Sequence, residues 1–136
     1  MTLLGNGNYA MNDDQTPQIL IVEDDPVLRL MTGKQLSILG YSHKTAMNGE
    51  DGVAMSNSGV SLIFMDIGLP GIDGKHATLL IREKEINENR PRVPIIALTS
   101  HSDKDRCLAA GMDDFLQKPA LMPDFKRMLD KWLPPK

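Results

Sequence analysis

Four short apolar runs in this chain each end in a residue that can do chemistry. Gln18–Val22 runs into Glu23, Asp24 and Asp25, and Leu62–Met65 runs into Asp66. Ile95–Leu98 runs into Thr99 and Ser100, and Phe115–Gln117 into Lys118 and Pro119. In an open parallel sheet, ligands gather at the carboxyl ends of the strands. Folding would bring an acidic cluster, a lone Asp, a hydroxyl and a Lys to one edge, a set that suits a divalent cation and a phosphoryl group. Asp66 ends a buried strand before a Gly/Pro loop, so it is rigid yet exposed enough to attack phosphorus and form an acyl phosphate. The adjacent acids Glu23 and Asp24 repel each other and need a cation or solvent. Mg2+ binds through one or two carboxylates together with waters and phosphate oxygens. Lys118 can pair with Asp66 and then with a phosphoryl oxygen, and Thr99 can offer its hydroxyl to the same group. Each residue alone has a plainer reading: a cap, a strand end or a surface Lys. Their order on successive strand ends is what points to this chemistry.

The elements that position them alternate. Apolar strand-like runs alternate with helix-like stretches, as in repeated βα units around a parallel sheet. Ile19–Val22 is a continuous apolar run, as in a strand buried on both faces. Pro26 suits a first helical turn, with Asp24 or Asp25 capping it. That helix carries Val27, Leu30, Met31, Leu36 and Leu39 and stops at Gly40. Tyr41–Ala46 is a weaker strand, Asn48 caps a helix from Gly49 to Ser56, and Ser61–Met65 is the next buried strand. After the loop Gly68–Gly74, Asp73 caps a helix over 74–89. Its Leu79, Leu80 and Ile86 are expected to face inward, while Arg82, Glu83, Lys84, Glu85 and Glu88 form a solvated end. Val93–Leu98 follows. Ser102 and Asp105 resemble a capping box for a short helix ending at Gly111. Phe115–Gln117 is the last strand. Pro123 starts a helix that packs Phe125, Met128, Leu129 and Trp132. Five strands and five helices use the whole chain beyond residue 17, leaving no room for a second domain.

The chain has 136 residues, the size of one domain. Its net charge of −3 gives no reason to expect nucleic acid as a partner. No apolar run is long enough for a membrane span, and the start has no secretory pattern. Residues 1–17, rich in Gly, Asn and Asp, read as a flexible leader or linker before a domain over 18–134. The single Cys107 fits a reducing compartment and reads as packed rather than reactive. His43 and His76 show no ligand spacing.

Four stretches carry a resemblance to a known family: Ile19–Pro26, Leu62–Gly74, Pro94–Ser100 and Ala110–Pro119. They resemble the receiver domain of bacterial two-component response regulators, over about Gln18–Trp132. The resemblance implies a flavodoxin-like (βα)5 fold of the α/β class, a doubly wound five-stranded parallel sheet of order 2-1-3-4-5. It implies Asp66 as phosphoacceptor. Glu23, Asp24 and Asp66, with the backbone carbonyl of Gly68, would hold Mg2+ (Mn2+ as substitute), Glu23 through water. Thr99 and Lys118 would contact the phosphoryl group. Phe115 would be the aromatic switch that moves inward with Thr99. Glu23 stands where many members have Asp, Asp25 adds a third acid, and Gly68 has no side chain to shield an acyl phosphate. His101 lies two residues beyond Thr99 and could influence water access there.

Ile96–Thr99 with Cys107–Leu116 looks most like receivers of hybrid sensor histidine kinases, which exchange phosphate with a histidine phosphotransfer domain. The expectation is a cytoplasmic module, or the cytoplasmic part of a membrane-bound hybrid kinase. It would be a monomer or weak dimer without nucleic acid or direct membrane contact, with Mg2+-dependent self-phosphorylation and autodephosphorylation. The alternative on this fold is a phosphorylation-independent interaction module. A metal-dependent phosphatase would need a general acid that Ile67 and Gly68 do not offer. A flavin site would need donors where Glu23, Asp24 and Asp25 repel phosphate.

Overall fold

A computed structural model describes residues 17–57, 59–100 and 104–134. The elements are β1 Gln18–Val22, α1 Pro26–Ile38, β2 Ser42–Ala46, α2 Gly49–Met55, β3 Leu62–Asp66, α3 Gly74–Asn87, β4 Ile95–Thr99, α4 Lys104–Ala109, β5 Asp114–Gln117 and α5 Met122–Trp132. Residues 1–16 of the leader, His101 and the Ser102 end of the expected capping box lie outside the described residues.

The strands form one five-stranded sheet in the order β2-β1-β3-β4-β5. All neighbours run parallel. Parallel strands need covering on both faces, and the period-two alternation of β1 provides for it. Ile19 and Ile21 point into a core with Leu36 of α1 and Phe125, Met128 and Leu129 of α5. Leu20 and Val22 point the other way, toward Ala77 and Ile81 of α3 and Cys107 of α4, with Val53 of α2 packed alongside. The first face is closed by an edge-to-face contact of Phe64 and Phe125, ring centroids 5.0 Å apart.

Caps fix where three helices begin. The Asp25 side chain accepts from the Val27 and Leu28 amides, Asn48 from Asp51, and Asp73 from His76. Asp25 is thus the cap of α1, which leaves Asp24 uncommitted to that role. Helix α5 begins one residue before Pro123 and is closed by the Asp124 carboxylate, which accepts from the Leu121 amide at 2.9 Å.

Helix α3 departs from its expected orientation. Leu79 and Ile86 are exposed, and the buried face is Ala77, Thr78, Ile81 and Glu85. Small residues let this helix lie close to the sheet, and the Thr78 hydroxyl donates to the Gly74 carbonyl at 2.8 Å. The expected solvated end is also partly interior. The Arg82 side chain donates to Glu85, to Asp113 and to the carbonyls of Gly111 and Val93. Glu85 is buried because it accepts from Arg82 and from the Val93 amide. On α1, Val27, Leu30 and Met31 are exposed, and Leu36 is buried.

Candidate functional site

Strand register assembles the site. Val22 pairs with Met65, so the next residues, Glu23 and Asp66, come level with each other. Asp66 in turn pairs with Leu98, one residue before Thr99. Thr99 pairs with Gln117, so Lys118 follows at the same edge, its amide donating to the Thr99 carbonyl at 2.7 Å. The strand-end residues singled out in the sequence therefore line one cleft of about 400 Å³, with Glu23, Asp24, Asp25, Asp66, Gly68, Thr99, Ser100 and Lys118 on its walls.

Lys118 is the hub. Its Nζ lies 2.9 Å from Glu23 Oε1 and 3.2 Å from Asp66 Oδ1. The pairing expected with Asp66 is present, and the shorter contact is to Glu23. Asp66 Oδ1 also accepts from the Gly68 amide at 3.1 Å, so that carboxylate is held by two donors. Glu23 Oε2 accepts from the Asp25 amide at 3.2 Å. Ligand atoms of Glu23, Asp24 and Asp66 all lie within 4.8 Å of one another. Glu23, Asp66 and Thr99 are buried, and Asp24 is exposed. Phe115 is half-buried against the α3 and α4 side of the core, with Lys104 Nζ 5.8 Å from its ring centroid.

Electrostatics follow from that crowding. Burial pushes the Glu23 carboxyl up to about 7, and the Asp66 charge adds to it, while the Lys118 bond works the other way. Burial works against the Lys118 charge, but its bonds to Glu23 and the charge of Asp66 outweigh it and raise its pKa. Three carboxylates against one ammonium leave an excess of negative charge that a divalent cation would balance. The donors are all oxygens, with one exposed carboxylate at the rim, which is the hard, partly hydrated set that Mg2+ favours. The residues present fit that ion.

The loop after Asp66 returns close beneath it. A Cβ on Gly74 would clash with the Asp66 carbonyl oxygen, so only glycine fits there. Gly68 is open by contrast, with nothing within 4 Å of a Cβ added to it. Two supporting residues carry only weak signals in the sequence. Gly74 is one, and its signal was the glycine closing a turn-rich loop just past Asp66. Arg29 is the other, since its side chain donates to the carbonyls of Glu23 and Asp24. His43 is half-buried beneath α1 and His76 is exposed on α3, both away from the cleft. Cys107 is buried in the core, as expected.

Comparison with known proteins extends the picture. A family model described as the response regulator receiver domain matches residues 19–130. Hybrid signal transduction histidine kinase F of Dictyostelium discoideum is 39% identical over 122 residues, covering 86% of this chain and 11% of that protein. Sensor histidine kinase RcsC of Escherichia coli K12 is 33% identical over 130 residues, covering 93% of this chain and 13% of that protein. The chain thus spans a small part of the curated relatives it matches. Among solved structures, the receiver domain of Saccharomyces cerevisiae Ssk1, solved with the histidine phosphotransfer protein Ypd1, aligns with TM-score 0.81 at 31% identity, covering 86% of this chain and 88% of that one. The receiver domain of sensor histidine kinase PA1611 from Pseudomonas aeruginosa PAO1 aligns with TM-score 0.76 at 38% identity, covering 86% and 97% of the two chains. That structure holds a magnesium ion coordinated in its active-site cleft.

Proposed function

Since this chain belongs to the response regulator receiver family, we propose that it takes a phosphoryl group from a phosphohistidine onto Asp66 and relays it to a histidine phosphotransfer domain. We read residues 18–134 as the receiver domain and 1–17 as a linker. The observation that carries the proposal is the bridging of Asp66 and Glu23 by Lys118 within a cleft where three carboxylates converge.

An Asp66 carboxylate oxygen forms the new bond to phosphorus as the phosphorus–nitrogen bond of the donor breaks, and the electron pair returns to the donor imidazole. Lys118 and the Gly68 amide orient the Asp66 carboxylate before transfer. Lys118 then moves its charge toward the incoming phosphoryl oxygens, and the Thr99 hydroxyl donates to one of them. Glu23, Asp24 and Asp66, with the Gly68 carbonyl, would hold Mg2+, which when bound supplies charge neutralisation for the phosphoryl oxygens. Once Thr99 turns toward the phosphoryl group, the half-buried Phe115 follows it inward, and the α4–β5 surface changes shape for a partner.

Support for the relay comes from similarity to proteins named hybrid histidine kinases and to a receiver solved with a phosphotransfer protein. Incubation with a small phosphodonor and Mg2+ tests the acceptor: a base-labile phosphate is expected on the wild-type chain and none on Asp66→Ala. A folded Asp66→Ala chain labelled at full yield would overturn the assignment. Transfer of label from this chain to a histidine phosphotransfer domain tests the relay.

A further inference from the structure

We infer that Arg29 is a positioning residue for the acidic turn, and that its guanidinium sets the Mg2+ affinity of the cleft without touching the ion. The inference rests on the metal-binding reading above. Arg29 lies one turn into α1, where its amide donates to the Asp25 carbonyl at 2.9 Å. Its side chain reaches back past the cap, and Nη1 donates to the Glu23 carbonyl at 2.9 Å and to the Asp24 carbonyl at 3.3 Å. These are the backbone carbonyls of the two acids that end β1.

The rest of the turn explains why that matters. Glu23 is tied on the sheet side by its amide donating to the Ala46 carbonyl, and its carboxylate is held by Lys118 and the Asp25 amide. Asp25 is committed to the helix cap. Asp24 is the exposed member, and the backbone that carries it is anchored from behind by Arg29. A charged donor makes such bonds shorter and stronger than a neutral one. The guanidinium's permanent positive charge by itself opposes a nearby cation, so the support that Arg29 gives the site comes from anchoring these two carbonyls. Arg29 lines the groove between α1 and β2 rather than the cleft, so it can act on the ion only through the turn.

Residues that orient metal ligands from the outer shell are worth about 10- to 100-fold in metal affinity. Arg29→Gln is expected to raise the Mg2+ dissociation constant, measured by calorimetry, by about tenfold. The Mg2+ concentration that half-saturates phosphorylation by a small phosphodonor should rise in step, and excess Mg2+ should recover the rate. Arg29→Lys keeps a charged donor on an arm one bond shorter, and should fall between wild type and Arg29→Gln. A purely structural role would instead lower metal-free stability and the maximal rate, leaving half-saturation in place. That result, or both variants within about twofold of wild type, overturns the inference. A wild-type chain that binds no Mg2+ overturns the metal reading and this inference together, whereas wild-type binding with unaltered variants overturns only this one.

Discussion

Glu23 couples this cleft to pH. Its carboxyl is buried, and burial with Asp66 alongside pushes it to about 7 from an ordinary 4.5, against the pull of Lys118. In the unfolded chain that proton leaves near 4.5, and in the metal-free folded chain near 7. Between those values the folded state binds more protons than the unfolded state, so this group's contribution falls as pH rises. It is fully present below 4.5 and lost on passing through about 7. At about 1.4 kcal/mol for each pH unit, the separation is worth about 3 kcal/mol. Solvent at the mouth of the cleft screens it to about 2 kcal/mol.

A metal ligand must be ionised, so on the proposed reading Mg2+ binding would release this proton. Apparent Mg2+ affinity should therefore climb with pH and level off above about 7. The assay is urea unfolding in EDTA between about pH 5 and about pH 8, on wild type and Glu23→Gln, repeated in saturating Mg2+. The variant has no proton to lose at this position. Wild type in EDTA should lose about 2 kcal/mol relative to the variant across that window, and Mg2+ should remove that loss. Parallel pH profiles for the two proteins in EDTA would refute the reasoning, because other titrating groups are common to both.

Further outcomes follow from other parts of the fold. Gly74→Ala places a methyl against the Asp66 carbonyl oxygen, a backbone atom with little freedom to yield. It should destabilise by about 1–3 kcal/mol and reduce phosphate uptake, read by urea unfolding and by labelling. Arg82→Leu removes five hydrogen bonds and leaves buried Glu85 without its cation. A loss of about 3–5 kcal/mol is expected, with Asp66 still labelled in the folded fraction. Asp114 accepts from Lys131 at 2.7 Å and from Trp132 at 3.0 Å. Burial opposes its charge, but these bonds prevail and lower its pKa. Its stabilisation is present above 3.8 and is lost as pH falls below that value. Fluorescence of Trp132, the only tryptophan, should report that acid transition early in wild type, and Asp114→Asn should flatten it.

Much of the fold was legible because its signals are local. Continuous apolar runs marked the buried strands, and Asp25, Asn48 and Asp73 each sit where a cap must sit. Helix α3 runs against its sequence pattern because its buried face is not its most apolar one. Ala77 and Thr78 are small, and Glu85 is a carboxylate, yet these turn inward while Leu79 and Ile86 stay out. Close approach to the sheet selects small residues. Glu85 goes inside only because Arg82 and the Val93 amide receive it, and that partnership spans residues whose proximity depends on the finished fold.

The cleft was legible for a different reason. Each of its chemical residues follows a strand directly, so strand order and parallel register suffice to gather them. What register cannot convey is which acid shares the lysine and which meets water. Glu23 and Asp24 are neighbours just past β1 and their carboxylates reach the same cleft, yet their burial differs. One lies against Lys118 and is buried, and the other is left at the rim. That division gives the two acids separate work. On the proposed metal reading, the buried carboxyl would carry the proton that the ion displaces, and the exposed one would meet the ion first. Arg29 and Gly74 then hold the two backbone segments, before α1 and after β3, on which that division depends.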